Sequence, residues 1–104
     1  MDATVKKEWL AALRSGEYKQ ARGALCREDG SMCCLGVLID ATQDGEWCHD
    51  DGAGRYSYDA QGFLPSFATL EAVGVPRQVA EHLARKNDSG LSFLGIADWI
   101  ERNL

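Results

Sequence analysis

The sequence lacks any long apolar run, and this absence excludes one class of protein. No run of about 18 consecutive residues is apolar, and the N-terminal stretch MDATVKKEW has no hydrophobic segment behind its lysines. We therefore expect neither a membrane span nor a secretory signal. The default compartment is a cytoplasm, where the four cysteines are expected to be free thiols rather than two disulfides.

The sequence also lacks an excess of basic residues. It has 16 acidic and 11 basic residues, which gives a net charge of −5. Six of the acids lie between Asp40 and Asp59 against Arg55 alone, so ten acids and ten bases remain elsewhere. A domain that binds duplex DNA usually presents an excess of Lys and Arg, so this balance argues against duplex DNA as a partner.

Several ligand-binding motifs are absent as well. The sequence contains no C-x2-C knuckle, no G-x-x-x-x-G-K-[ST] phosphate loop and no D-x-[DN]-x-[DN]-G calcium loop. An alternative is a tetrahedral metal site made from the soft ligands Cys26, Cys33, Cys34, Cys48 and His49. Adjacent cysteines point apart in a strand or in a helix, so we expect core thiols, with no metal and no cofactor.

The chain is organised around the segment Gly23–Ile39, which holds three of the four cysteines and the longest apolar run. Within it, Asp29-Gly30 is typical of a tight hairpin turn with positive φ at both central positions. We therefore predict two short strands, over Gly23–Arg27 and Ser31–Cys34.

The apolar run that starts at Cys33 has no period-two alternation, so it must be buried on most sides. We favour a helix that extends towards a C-terminal glycine at Gly45, although a buried strand is the alternative. Gly36 would cost such a helix about 1 kcal/mol relative to Ala. That cost predicts a close neighbour at Gly36.

The remaining pattern indicates an α+β fold in a single domain over residues 1–104, with four to five short helices and one or two β-hairpins. We expect the central run to be buried between the first and last helices, together with the nine aromatic residues. The predicted helices cover Thr4–Ser15, Pro65–Val73, Pro76–Lys86 and a segment capped by Ser92, and the second predicted hairpin joins Glu46–Cys48 to Arg55–Tyr58.

A polar segment between the first helix and the central run supplies the leading candidate site. Arg14 and Arg22 offer planar forks to a carboxylate or phosphate. Tyr18 can stack on a ligand, and Gln20 can form hydrogen bonds with its edge. Gly23 lets backbone amides approach an anion. A nucleotide or an acidic partner would use such groups. The alternative is that Tyr18 packs on the first helix and the arginines are solvated.

Other polar groups have simpler alternatives. Asn87 and Asp88 are expected to form a turn, or else to place an amide and a carboxylate at a site beside the last helix. His49 with Asp50 and Asp51 is the one acid–base cluster that a cysteine hydrolase could use, although a solvated turn is the simpler interpretation. The two terminal helices also resemble a helix-turn-helix, but the second would present acidic residues to a groove.

Three runs in order carry a resemblance to a known group of proteins. They are LRSGEYKQARGAL, CCLGVL and LARKNDSGLSFLGIADWIE, over residues 13–25, 33–38 and 83–101. The order and spacing resemble a widespread group of small uncharacterised bacteriophage and prophage proteins, although an acidic residue often stands where this chain has Gly95. The resemblance implies a phage accessory protein in the cytoplasm of a bacterial host.

We therefore expect a non-enzymatic protein that binds and blocks or sequesters a bacterial macromolecule or signalling nucleotide, with a possible anti-defence role. The expected partner is a host protein or an anionic, nucleotide-like small molecule. Two alternatives stay open. One is a small helix-turn-helix-like DNA-binding regulator, and the other is a cysteine/histidine metal protein or small hydrolase.

Overall fold

A computed structural model describes residues 1–104 and contains five helices and three strands. Their bounds are α1 Ala3–Arg14, β1 Cys26–Arg27, α2 Cys34–Thr42, β2 Trp47–Asp50, β3 Arg55–Tyr58, α3 Phe67–Val73, α4 Arg77–Asp88 and α5 Phe93–Asn103. This arrangement confirms the predicted α+β fold class. No helix has both the length and the apolar character needed to cross a membrane.

Helix α1 begins and ends where its sequence predicts. The side chain of Asp2 accepts a hydrogen bond from the Val5 backbone at 3.0 Å, which satisfies one of the free N–H groups of the first turn. Gly16 follows the helix with φ of +76°, a conformation that a residue with a Cβ rarely adopts. Trp9 is fully buried, and its indole N–H donates to the carbonyl oxygen of Cys34 at 2.9 Å.

The apolar run of the central segment forms α2, so the helix was the correct alternative. Its residues from Cys34 to Ile39 are all buried. A Cβ on Gly36 would collide with the carbonyl oxygen of Leu25, which confirms the predicted close neighbour. The predicted C-terminal glycine was wrong, because α2 ends at Thr42 and Gly45 lies instead against the ring of Tyr58.

The three strands form one antiparallel sheet in the order β1-β3-β2. The hairpin of β2 and β3 confirms the second predicted hairpin. The first predicted hairpin was largely wrong, because β1 pairs with β3 and keeps only one bridge, from Cys26 to Met32, to the segment that follows it. Arg27 is joined to both Gly30 and Ser31 through backbone hydrogen bonds, an arrangement typical of a three-residue loop, and only Gly30 has positive φ there.

The two prolines precede their helices rather than opening them, Pro65 by two positions and Pro76 by one. Ser66, not Pro65, precedes the first residue of α3, and its side chain accepts a hydrogen bond from the Thr69 backbone. Pro76 occupies the cap position of α4 rather than its first turn. Ser92 caps α5 through the Gly95 backbone at 3.2 Å, as predicted.

The core lies where α1 meets α2 and α5, and where α4 meets α2 and α5. The expectation that the central run lies between the first and last helices was therefore wrong, because α2 packs against α1 and α4. The aromatic residues supply only part of the core. Trp9 and Phe93 belong to the core, whereas Phe63 and Phe67 are 58% and 75% exposed.

Candidate functional site

Asn87 lies in the last turn of α4 and connects three parts of the chain. It is completely buried. Its side-chain oxygen accepts hydrogen bonds from the Gln20 side chain at 2.9 Å and from the Cys34 backbone at 3.2 Å, while its amide nitrogen donates to the carbonyl oxygen of Ala21 at 2.7 Å. The predicted turn at Asn87-Asp88 was wrong, because α4 continues through both residues.

Asp88 and Gln20 complete the same network. The carboxylate of Asp88 accepts from the Gly23 backbone at 3.0 Å and from the Asn87 side chain at 3.3 Å. The Gln20 amide also donates to the carbonyl oxygen of Leu91 at 2.8 Å. The structure thus brings four predicted site residues together, but it uses their polar groups to hold the loop before β1 against α4.

Two of the three remaining predicted residues, Arg14 and Tyr18, lie apart from this network and are engaged elsewhere in the fold. Arg14 pairs with Asp98 at 3.0 Å and with Glu101 at 2.6 Å, so its planar fork is occupied by carboxylates of α5. The Tyr18 hydroxyl donates to Asp40 at 2.8 Å. Partial burial and this hydrogen bond raise the pKa of Tyr18 to about 12.

Arg22 is the one predicted arginine whose side chain remains exposed and without a carboxylate partner. It lines an open depression of about 430 Å³ together with Lys19 and Arg27, and the Arg27 side chain donates to the carbonyl oxygen of Arg22 at 3.0 Å. Asp29 lies at the edge, 3.5 Å from Lys19. Hydrogen bonds from Ser31 lower the pKa of Asp29 to about 2, so this carboxylate is charged at neutral pH.

Two further arginines extend this surface around Gly23 and Ala24. A small cavity of about 60 Å³ lies between those two residues, Arg27 and Arg55. A larger, mostly apolar groove of about 260 Å³ also borders Gly23 and Ala24 and has Arg85 at its edge. We call the whole surface the basic face, defined by Lys19, Arg22, Arg27, Arg55 and Arg85.

The basic face has little internal compensation, since only Lys19 among its five residues is paired with a carboxylate, that of Asp29. It carries five of the 11 basic residues of a chain with a net charge of −5. The two arginines that do form ion pairs, Arg14 and Arg77, lie elsewhere, and none of the four arginines of the basic face forms one. Four guanidinium groups therefore remain available to an anion.

The cysteines do not form the alternative metal site. No group of three or more His, Cys, Asp or Glu side chains is arranged to hold a metal ion, and all four cysteines are free thiols. Burial raises the pKa of Cys33 to about 11, and it raises the pKa of Cys34 and of Cys26 as well. These thiols stay protonated at neutral pH, which makes them poor nucleophiles and poor ligands.

His49 is held between two carboxylates at the end of the sheet. Its Nε2 lies 3.3 Å from Glu28, and its Nδ1 lies 2.5 Å from Asp51. Cys48 precedes it in β2, so the thiol and the imidazole point to opposite faces of the strand. This geometry places no cysteine nucleophile beside the histidine.

Sequence reasoning did not find Arg55, Phe63 or Arg85 as parts of the candidate site. Each comes from a different region of the chain: Arg55 of β3 borders the small cavity, whereas Phe63 and, from α4, Arg85 border the groove, and only the fold brings all three beside Gly23 and Ala24. The one available signal was the cluster of bases from Arg14 to Arg27. This cluster includes Lys19, Arg22 and Arg27, three of the five residues that define the basic face. It does not indicate the other two.

The fold and the basic face define a small α+β protein with a cluster of four arginines that form no ion pair. The chain belongs to the family described as Domain of unknown function (DUF8296), whose sequence model matches residues 1–104. No curated protein and no solved structure matches the chain.

Proposed function

We propose that this protein is a non-enzymatic binding protein that holds an anionic partner on its basic face. The observation that carries the proposal is the set of unpaired guanidinium groups at Arg22, Arg27, Arg55 and Arg85. In a domain this acidic, arginine side chains would be expected to form ion pairs with carboxylates of the same chain. Their grouping around one open surface supports a function that requires free positive charge.

The chemistry of the groups favours phosphate over a simple monovalent anion. A guanidinium group presents its N–H donors in a planar fork that matches two oxygens of a phosphate or carboxylate. Several such forks around one depression favour a ligand with several anionic oxygens. The acidic region from Asp40 to Asp59 would at the same time repel a long polyanion that extends past the basic face.

The biological part of the proposal rests on the sequence resemblance described above. In that setting the protein is a phage accessory protein in the cytoplasm of a bacterial host, where it blocks or sequesters a macromolecule or a signalling nucleotide and thereby counters a host defence. The assignment of residues is revised, because Arg22 is retained while Arg14, Tyr18 and Gln20 are engaged inside the fold.

Native mass spectrometry of the tagged protein recovered from a bacterial host tests the proposal. We expect a stoichiometric additional mass that corresponds to an anionic ligand or partner. The double variant R22Q/R27Q should lose that mass while its circular dichroism spectrum and melting temperature stay close to those of the parent protein, because both side chains are exposed.

The matched control is R102Q. Arg102 lies in the last turn of α5, donates only to the carbonyl oxygen of Asp98 and is not on the basic face. This variant should keep the additional mass. The proposal is wrong if R22Q/R27Q and R102Q retain the same partner, or if the parent protein is recovered in the apo form and inorganic pyrophosphate produces no shift of the arginine Nε signals at low salt.

A further inference from the structure

We infer that the ligand of the basic face is a nucleoside phosphate whose base lies in the apolar groove beside Phe63 and whose phosphates lie among the arginines. The inference rests on the proposed function and names the chemical class of the ligand.

The groove has the size and the lining of a site for one aromatic ring system. Phe63 and Leu64 form one wall, Ala84 of α4 forms the other, and Ala24 and Cys33 lie between them. The volume of about 260 Å³ is near the lower end of the range for small-molecule pockets. It is large enough for one base and too small for a stack of several.

Phe63 is the expected stacking partner. Its ring is 58% exposed, so it is accessible to a ligand. The guanidinium carbon of Arg55 lies 4.3 Å from the centre of the ring, which fixes the ring beside a positive charge. An exposed aromatic ring next to arginines is the combination that proteins use to stack bases and hold phosphates.

The groove and the arginines are parts of one continuous surface. Gly23 and Ala24 border both the groove and the small cavity that contains Arg27 and Arg55, and Arg27 also borders the depression that contains Arg22. A Cβ on Gly23 would meet nothing within 4 Å, so the surface over this residue is open. The Asp88 carboxylate accepts from the Gly23 N–H, so a ligand with its base beside Phe63 would direct its phosphates away from Asp88, towards Arg27 and Arg55.

The edge of the groove offers hydrogen-bond acceptors as well as cations. Glu81 and Asp88 lie along α4 on either side of Arg85. Arg77 uses one oxygen of Glu81, and Gly23 and Asn87 use one oxygen of Asp88, so the other oxygen of each carboxylate is left for a ligand. Carboxylate oxygens accept hydrogen bonds from the amino groups of bases, whereas they would repel a phosphate. This arrangement orients a nucleotide with its base towards α4 and its phosphates towards Arg27 and Arg55.

Two other anionic occupants fit the surface less well. An acidic peptide would use the arginines but would leave the Phe63 ring and the apolar groove without a function. Duplex DNA keeps its bases stacked inside the helix, where Phe63 cannot reach them, and the acidic remainder of the chain would repel its long phosphate backbone. A nucleoside phosphate uses every group that the surface presents.

The test is a titration of the protein at low salt, followed by NMR and calorimetry, with four probes. The probes are ATP, GTP, inorganic tripolyphosphate and a single-stranded oligonucleotide of about eight nucleotides, a length within the usual site size of such binders. We expect ATP or GTP to bind at least roughly tenfold more tightly than tripolyphosphate, because a stacked base adds affinity of that order or more. The amide signals of Phe63 and Ala84 should shift with the nucleotide and not with tripolyphosphate.

Two variants separate the base from the phosphates. F63A should weaken nucleotide binding by about tenfold to a hundredfold and leave tripolyphosphate binding unchanged. A84M, which fills the groove without altering a charge, should do the same. F67A is the matched control, because Phe67 is an exposed phenylalanine on α3 outside the basic face, and it should change neither affinity.

The outcomes distinguish this inference from the proposed function. If tripolyphosphate and both nucleotides bind equally and F63A has no effect, the inference is overturned while an anion-binding function stands. Tighter binding of the oligonucleotide than of either nucleotide also overturns it, in favour of single-stranded nucleic acid. If no probe binds, the inference is overturned, and the native mass spectrum decides the proposed function separately.

Discussion

At the scale of single residues, Gly36 shows how one missing side chain determines where a helix can lie. The glycine is in the first turn of α2, and a Cβ there would overlap the carbonyl oxygen of Leu25 and approach the Cβ of Met32 at 3.2 Å. The Leu25 carbonyl is part of the backbone, so it cannot rotate away from an added methyl group. Gly36 therefore allows α2 to lie directly against the segment that leads into β1.

We predict that Gly36→Ala destabilises the protein although alanine is the better helix former. The gain in helix propensity is about 1 kcal/mol, whereas forcing a methyl group into this contact should cost more, so we expect a net loss of about 2 kcal/mol in the free energy of unfolding. Urea denaturation measures this difference.

Gly95→Ala is the matched control for that prediction, since Gly95 is also a helical glycine. Its added Cβ would meet the tip of the Leu91 side chain, which can change rotamer. The gain in helix propensity should then offset most of the crowding, with a net change within about 0.5 kcal/mol. Equal losses for the two variants would contradict the explanation from backbone contact.

At the scale of elements, the sequence predicted every helix and the β2–β3 hairpin, because each has local signals. Asp2 and Ser92 mark the starts of α1 and α5, and Gly74 ends α3 with φ of +74°. The partner of β1 was not predictable in this way. Pairing Cys26 with Tyr56 depends on how α2 and the hairpin pack, and no residue near β1 encodes that contact.

The network around Asn87 was missed for the same physical reason. An Asn followed by Asp, Ser and Gly has the composition of a turn, and only the position of the loop from Gln20 to Gly23 makes a buried amide favourable at the end of α4. Tertiary hydrogen bonds thus extended a helix beyond its local signals. Only part of the candidate site could be predicted, because Arg22 lies within the basic cluster of the sequence and Arg85 does not.

We predict that Asn87→Ala is among the most destabilising single changes in α4. It removes one amide that joins α4 to α2 and to the loop before β1, and it leaves buried donors and acceptors without partners. The expected loss in the free energy of unfolding is about 3 kcal/mol. Asn103→Ala is the control, because the Asn103 side chain donates only to the carbonyl oxygen of Trp99, in an exposed turn of α5. This variant should lose about 0.5 kcal/mol.

At the scale of the whole molecule, charge and burial together determine how stability depends on pH. Burial raises the pKa of Cys33 from 9.0 to about 11 and that of Cys34 well above 9.0, and burial with the Asp40 contact raises the pKa of Tyr18 from 10.0 to about 12. The folded state holds these protons more tightly than the unfolded state. Their contribution to stability is complete below the unfolded values and is lost as pH rises through the folded ones.

We predict that the free energy of unfolding falls as the pH rises from 9.0 to about 12. Urea denaturation at a series of pH values gives the slope, and the difference in tyrosinate absorbance between the parent protein and Tyr18→Phe separates Tyr18 from the other two tyrosines. Tyr18→Phe and Cys34→Ala should each make the slope shallower, whatever they do to stability at neutral pH. Unchanged slopes in both variants would show that other groups control the alkaline transition.

The central position of β3 also determines the order in which the sheet can assemble. The β2–β3 hairpin joins neighbouring segments and can form within microseconds, as isolated hairpins do. Strand β1 has only a single bridge to the segment that follows it, and it otherwise pairs with the free edge of β3. It can therefore join the sheet only after the β2–β3 hairpin and the intervening helix α2 have formed. We therefore expect the basic face, which lies where β1, β3 and α4 meet, to form late in folding.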